Sequence, residues 1–149
     1  MIWKTAITIE QLNRYKDKTL MESLDIEVIE IGDDFIKATM PVDHRTVQPM
    51  GLLHGGASAS LAETLGSVAS LLCVPDLDTH APVGIELSIS HLHSTQSKYV
   101  IGTVTPIKIG KRLHFWNIDI KDPEGKAIAK ARLTTMIIPQ QKLNVAMSE

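Results

Sequence analysis

Two periods organise the chain. Through much of the second half apolar and polar residues alternate, with Val83, Ile85, Leu87 and Ile89 set against Gly84, Glu86, Ser88 and Ser90; strand-like runs also cover residues 99–109, 113–120 and 127–138. Asp122-Pro123-Glu124-Gly125 and Gly110-Lys111 supply turns between them. Earlier, Ile26, Val28, Ile29 and Ile31 lead into Gly32-Asp33-Asp34, and an apolar run resumes at Phe35, which predicts a hairpin. Thr8 followed by Gln11, and Thr19 followed by Glu22, have the spacing of capping boxes and predict two short N-terminal helices.

Between the two strand groups the period changes to that of a helix, over residues 57–72. At 100° per residue Leu61, Leu65, Val68 and Leu72 form one stripe, the expected core face. Ala62, Gly66 and Ala69 line a second face, and Ala59, Glu63, Ser67 and Ser70 a third. One long helix among antiparallel strands makes the chain α+β. With no repeat and no linker, residues 1–139 form a single domain; Pro139 ends the last strand and leaves a polar tail, 140–149.

Composition narrows the possibilities. A chain of 149 residues with 44% hydrophobic and 21% charged residues can bury a full core without staples. Cys73 is the only cysteine, so there is no internal disulfide and no cysteine-based zinc cluster, and a reduced, cytoplasmic protein is expected. A net charge of −2 without a dense basic run argues against nucleic acid as a partner. No apolar stretch approaches the roughly 20 residues of a membrane-spanning helix, and the N-terminus lacks the apolar block of a signal peptide.

The chemistry centres on Glu63, the only charged residue between positions 57 and 72. A carboxylate on a small-residue helix face that something outside the domain's own sheet covers is partly desolvated, which suits it to act as base or nucleophile. Ser67, one turn on, projects to the same spot and could hold a water. Just before the helix, His54-Gly55-Gly56 brings glycines to a positive helix end, where a backbone N–H could form an oxyanion hole.

His54-Gly55-Gly56-Ala57, with Leu61-Ala62-Glu63-Thr64-Leu65-Gly66-Ser67, resembles the signature of hotdog-fold acyl-CoA thioesterases of the phenylacetate-degradation and Arthrobacter-type 4-hydroxybenzoyl-CoA group. Further likeness, at residues 1–4, 31–34, 38–43, 48–49, 51–54 and 132–135, is to members that hydrolyse 1,4-dihydroxy-2-naphthoyl-CoA in menaquinone biosynthesis. The resemblance implies a curved antiparallel sheet wrapped around the central helix. It also implies a homo-oligomer, a dimer of dimers, in which the helix start of one subunit meets the Glu of the other. Glu63 would then be the nucleophile or general base, the Gly55 N–H would polarise the thioester carbonyl, Gln48 and His54 would orient it, and Ser67 would position water. CoA would be part of substrate and product, and no cofactor or metal would be required.

Acyl-CoA carries phosphates and needs cations. Lys108, Lys111 and Arg112 surround Gly110 and, with Ile109 and Leu113, make one candidate surface; Gly84, His91, Leu92, His93 and Ser94 make the other, with His91 and His93 on one strand face. Family members often carry Arg where this chain has His93, an imidazole mostly uncharged at neutral pH, so Lys111 is the compensating cation. Two other readings remain open from the residues. One is a hotdog hydratase or dehydratase, and the other is a non-catalytic acyl-CoA-binding module.

Overall fold

The computed structural model describes residues 1–140; the tail expected at 140–149 otherwise lies outside the described residues. Among the described residues three helices, α1 (Ile9–Arg14), α2 (Leu20–Ser23) and α3 (Gly55–Cys73), accompany six strands: β1 (Glu27–Ile31), β2 (Ile36–Pro41), β3 (His80–His91), β4 (Tyr99–Ile109), β5 (Leu113–Lys121) and β6 (Ala127–Pro139). The strands form one antiparallel sheet in the order β1-β2-β4-β5-β6-β3. The α+β hotdog architecture expected from the sequence is the one observed: α3 packs against β2 to β6, its Leu61, Ala62, Leu65 and Ala69 buried with Val104, Trp116, Ile118 and Leu133 of the sheet.

Two glycines let the helix sink onto the sheet. A Cβ on Gly66 would overlap Leu133 of β6, and one on Gly102 of β4 would meet Leu65 and Leu61. Burying side chains such as Leu61 and Leu65 is worth about 1.5–3 kcal/mol each, the main source of stability for a helix whose Gly, Ser and Thr content gives it a modest propensity of its own.

The Thr8 capping box forms as expected, with Gln11 N–H donating to Thr8 and Thr8 N–H to the Gln11 side chain. That of Thr19 does not, because its hydroxyl donates to Lys16 O and Glu22 takes the Lys18 N–H instead. The central helix begins at Gly55, two residues earlier than its apolar pattern, since His54 caps it. Val68 lies half-buried and Ser70 fully buried, the reverse of the expected faces, because Ser70 finds hydroxyl and indole partners on the sheet. The alternation in β3 breaks at a bulge between Gly84 and Glu86, which leaves Ile85 half-exposed.

Candidate active site

The head of α3 is built from a tied-down loop. Thr46, buried, donates its hydroxyl to Pro41 O, and its carbonyl accepts the His54 N–H at 2.8 Å. Val47 and Leu53 bridge, Gln48 N–H donates to Leu52 O, and Gly51 closes the turn at φ +80°, a conformation that favours glycine. Met50 N–H donates to Gln48 Oε1, so the Gln48 amide –NH2 is the end free to donate elsewhere.

His54 is the N-cap residue of α3. Its Nδ1 accepts the Gly56 N–H at 2.7 Å, while its carbonyl takes the Ala57 and Ser58 N–H groups. Accepting at Nδ1 puts the imidazole proton on Nε2, which makes the outer edge of the ring a donor. Of the first N–H groups in the helix, those of Gly56, Ala57 and Ser58 are thus occupied. The Gly55 N–H has no partner among the described residues. It stands at the positive end of a 19-residue helix and lines a cavity of about 330 Å³ together with Gln48, Ser58, His91, Leu92, His93 and Ser94. His91, at the end of β3, leans over Gly55: a Cβ there would sit 2.8 Å from the His91 Nε2.

The structure therefore brings six of the sequence candidates, Gln48, Gly55, His91, Leu92, His93 and Ser94, to one cavity. His91 and His93 do not share a strand face. The strand ends at His91, both following N–H groups turn to Ile128 O, and His93 Nδ1 pairs with Ala127 O. No group of three or more His, Cys, Asp or Glu among the described residues could hold a metal ion.

Glu63 belongs to a different place. It lies eight residues beyond Gly55, about 12 Å along the helix axis, half-buried, with its carboxylate over Gly84 of β3. Any Cβ at Gly84 would overlap Glu63 Oε1. The bulge creates this seat: Gly84 pairs with Thr135 and Leu87 with Leu133, so two residues three apart both face the helix. Burial raises the Glu63 carboxyl above its usual range. Ser67 follows one turn later, also half-buried. Cys73, the only thiol, is buried and pushed up to about 11, hence an inert neighbour and not a nucleophile.

The third group of candidates, residues 108–113, forms the β4–β5 turn, with Gly110 N–H donating to Leu113 O. Ile109, Gly110 and Lys111 border a separate, mostly apolar cavity of about 580 Å³ with His80 and His114. Thr46 is a part of the site that sequence reasoning did not assign, and Gly84, expected beside His91 to Ser94 as a substrate contact, instead seats the Glu63 carboxylate away from their cavity; a glycine interrupting a period-two strand was the available signal for that role.

The family profile described as Thioesterase superfamily matches residues 50–129. A 1,4-dihydroxy-2-naphthoyl-CoA hydrolase of Escherichia coli K12 is 46% identical over 93% of this chain and 100% of its own. The proofreading thioesterase EntH of Cronobacter turicensis is 46% identical over 93% and 99%. Among solved structures, a thioesterase from Haemophilus influenzae superposes with a TM-score of 0.90 at 42% identity, covering 93% of this chain and 96% of that one. A glutamine-to-alanine variant of a Pseudomonas aeruginosa thioesterase gives 0.91 at 40%, covering 93% and 99%.

Proposed function

Because the chain belongs to the thioesterase superfamily, we propose that it hydrolyses an aromatic acyl-CoA, of the class of 1,4-dihydroxy-2-naphthoyl-CoA, to free acid and CoA. The observation that carries this reading is the unpartnered Gly55 N–H at the head of α3, open to a cavity shared with Gln48. A thioester carbonyl placed there accepts from that N–H and from the Gln48 amide, and the oxyanion that develops is stabilised by both and by the helix end. Glu63 either attacks the carbonyl carbon, giving an anhydride that water then cleaves, or takes a proton from a water that attacks. Either way the C–S bond breaks, the CoA thiolate is protonated, and water is the only co-reactant. Ser67 and the Nε2–H of His54 orient the water and the thioester.

One chain holds the donor and the base too far apart to act on one carbonyl, so each site takes its N–H from one protomer and its carboxylate from another. β3, a 12-residue edge strand with one side unpaired, is the element we place between protomers, in a dimer that pairs again into a tetramer. The cations at residues 108–112 bind the CoA phosphates. No helix of the described residues is long and apolar enough to cross a membrane. We place the protein in the cytoplasm with its CoA substrate.

A panel of aroyl-CoA, fatty acyl-CoA and crotonyl-CoA substrates, followed by thiol release and by loss of the enoyl absorbance, tests the reading. Thiol release fastest with aroyl groups is expected. Hydration of crotonyl-CoA without thiol release, or binding without turnover, would replace it by a hydratase or a binding module.

A further inference from the structure

α3 buries two of its serines, and their hydroxyls fare in opposite ways. Ser70 sits among partners: Trp116 Nε1–H donates to its Oγ at 2.6 Å, Thr135 Oγ1 lies 2.6 Å away, and His114 Nδ1 3.2 Å. The Ser58 hydroxyl, on a residue only 1% exposed, has no partner among the described residues. A helical serine commonly donates to the carbonyl one turn earlier, as Ser60 does to Gly56 O at 2.9 Å. For Ser58 that carbonyl is His54 O, which already accepts the N–H groups of Ala57 and Ser58 itself. A buried hydroxyl left without a bond is a cost that proteins avoid. This one is not sealed in. Gln140 Oε1 is the one side-chain polar atom among the described residues that is both closed off and unpartnered, so the sliver of Ser58 left open is its hydroxyl. It opens onto the cavity of about 330 Å³ at the head of α3, whose wall Ser58 shares with Gly55 and Gln48.

Its position gives it a task. Ser58 follows Gly55 by three residues, so the two share a helix face, about 4.5 Å apart along the axis. Helical side chains lean toward the N-terminus, which carries the Ser58 hydroxyl back toward the free Gly55 N–H. One small cavity thus gathers a backbone N–H, the Gln48 carboxamide and a hydroxyl. A thioester carbonyl oxygen has two lone pairs, and the Gly55 N–H and the Gln48 amide fill both. When the carbonyl carbon becomes tetrahedral, its oxygen gains a full charge and a third lone pair, which leaves room for one more donor.

We propose that Ser58 is a further catalytic residue, whose hydroxyl donates to the oxyanion of the tetrahedral state and not to the thioester that precedes it. No proton leaves the serine: the O–H stays whole, and its hydrogen bond forms as the charge appears and is given up as the C–S bond breaks. The proposal rests on the reading of Gly55 and Glu63 given above. A bond made only in the transition state lowers the barrier without tightening the binding of substrate, so Ser58 acts on kcat and leaves KM alone. A hydroxyl kept unpaired in the resting protein is the stability cost expected of a group held for the reaction.

Ser58→Ala tests this, since it removes one oxygen at a helix position that alanine suits. With an aroyl-CoA, kcat should fall by about 30-fold while KM stays within about twofold. Tm should hold or rise by about a degree, because no bond inside the protein is lost and a buried orphan is removed. Ser58→Cys, a weaker donor in the same place, should fall between the two. Two inert ligands repeat the comparison without turnover: a CoA ketone with CH2 in place of the thioester sulfur imitates the substrate, and its α,α-difluoro counterpart, hydrated in water, imitates the tetrahedral state. By calorimetry Ser58→Ala should weaken the difluoroketone by about tenfold and leave the ketone within about twofold. A kcat within about twofold of wild type, a loss confined to KM, or an equal loss on both ketones overturns the proposal. So does a Tm lowered by several degrees, the mark of a hydroxyl that holds the fold. Glu63→Gln is measured alongside. If it keeps near-native kcat, the reading of the site falls and Ser58 with it; if it loses activity while Ser58→Ala does not, the role of Ser58 alone is struck out.

Discussion

The two working parts of α3 differ in kind. At its head the proposed chemistry rests on the backbone: an amide left over after His54 has capped its neighbours, held by a loop whose hydrogen bonds run through Thr46 and Gln48. In its middle the proposed chemistry rests on one side chain, Glu63, desolvated over a strand that has no room for a Cβ beneath it. A backbone donor tolerates change around it as long as nothing crowds it, whereas a lone carboxylate tolerates none. The separation of about 12 Å along one rigid helix adds a second lesson, that the proposed donor and base could serve one carbonyl only if two chains supply them.

The harshest way to break the comparison is Glu63→Gln, which keeps shape and removes basicity. kcat should fall by about 100-fold or more with the fold intact. Mixing that variant with inactive Gln48→Ala subunits should restore about one site in four if chains reassort at random and each site draws on both. Steady-state assays of the mixture check this, and no recovery would place both groups in one chain.

Next comes Gly84→Ala, which drives the carboxylate off its seat. kcat should drop by roughly 10- to 100-fold with little change in KM, because a base displaced by an ångström loses its alignment and not the substrate. Gly55→Ala should cost less, about tenfold in kcat/KM, since the His91 ring can give way at the 2.8 Å contact while the N–H survives. Combining it with His91→Ala should cost less than the sum of the two single changes, because the clash is gone.

The smallest effect concerns protonation. The Glu63 carboxyl is raised by burial, so the folded chain holds that proton to a higher pH than the unfolded chain does. Raising the pH through this window therefore lowers stability, while activity rises as the base is freed. Glu63→Gln should raise Tm by about a degree or two at neutral pH and by nothing in acid, measured by calorimetry at both. A variant that is inactive and slightly more stable marks Glu63 as a group held for function.

Much of this was legible from local pattern. The hairpin, the long helix and the strands of the second half follow from period and turn residues, which act over a few positions. The isolation of Glu63 was visible because a helix without other charges is unusual in itself. What escaped depends on partners distant in sequence. Ser70 reads as part of the helix face turned away from the sheet until Thr135 and Trp116 are beside it, the bulge at Gly84–Glu86 is set by pairing with β6, and His93 leaves the strand because Ile128 O collects two N–H groups. In sequence Gly84 reads as a ligand contact, and its place under the carboxylate appears only when sheet and helix are assembled.

The free amide of Gly55 has a consequence for how such a protein diverges. Because the proposed donor is part of the peptide chain, no change of side chain deletes it, and on that mechanism the residues lining the cavity can drift toward new acyl groups while activation of the carbonyl is inherited unchanged. One substitution escapes this protection. Proline is well suited to the first position of a helix, where its fixed φ fits and its missing N–H costs the helix nothing. At position 55 the same replacement would keep the helix and silence it, so the residue that helix formation alone would welcome is the one that selection for hydrolysis must refuse.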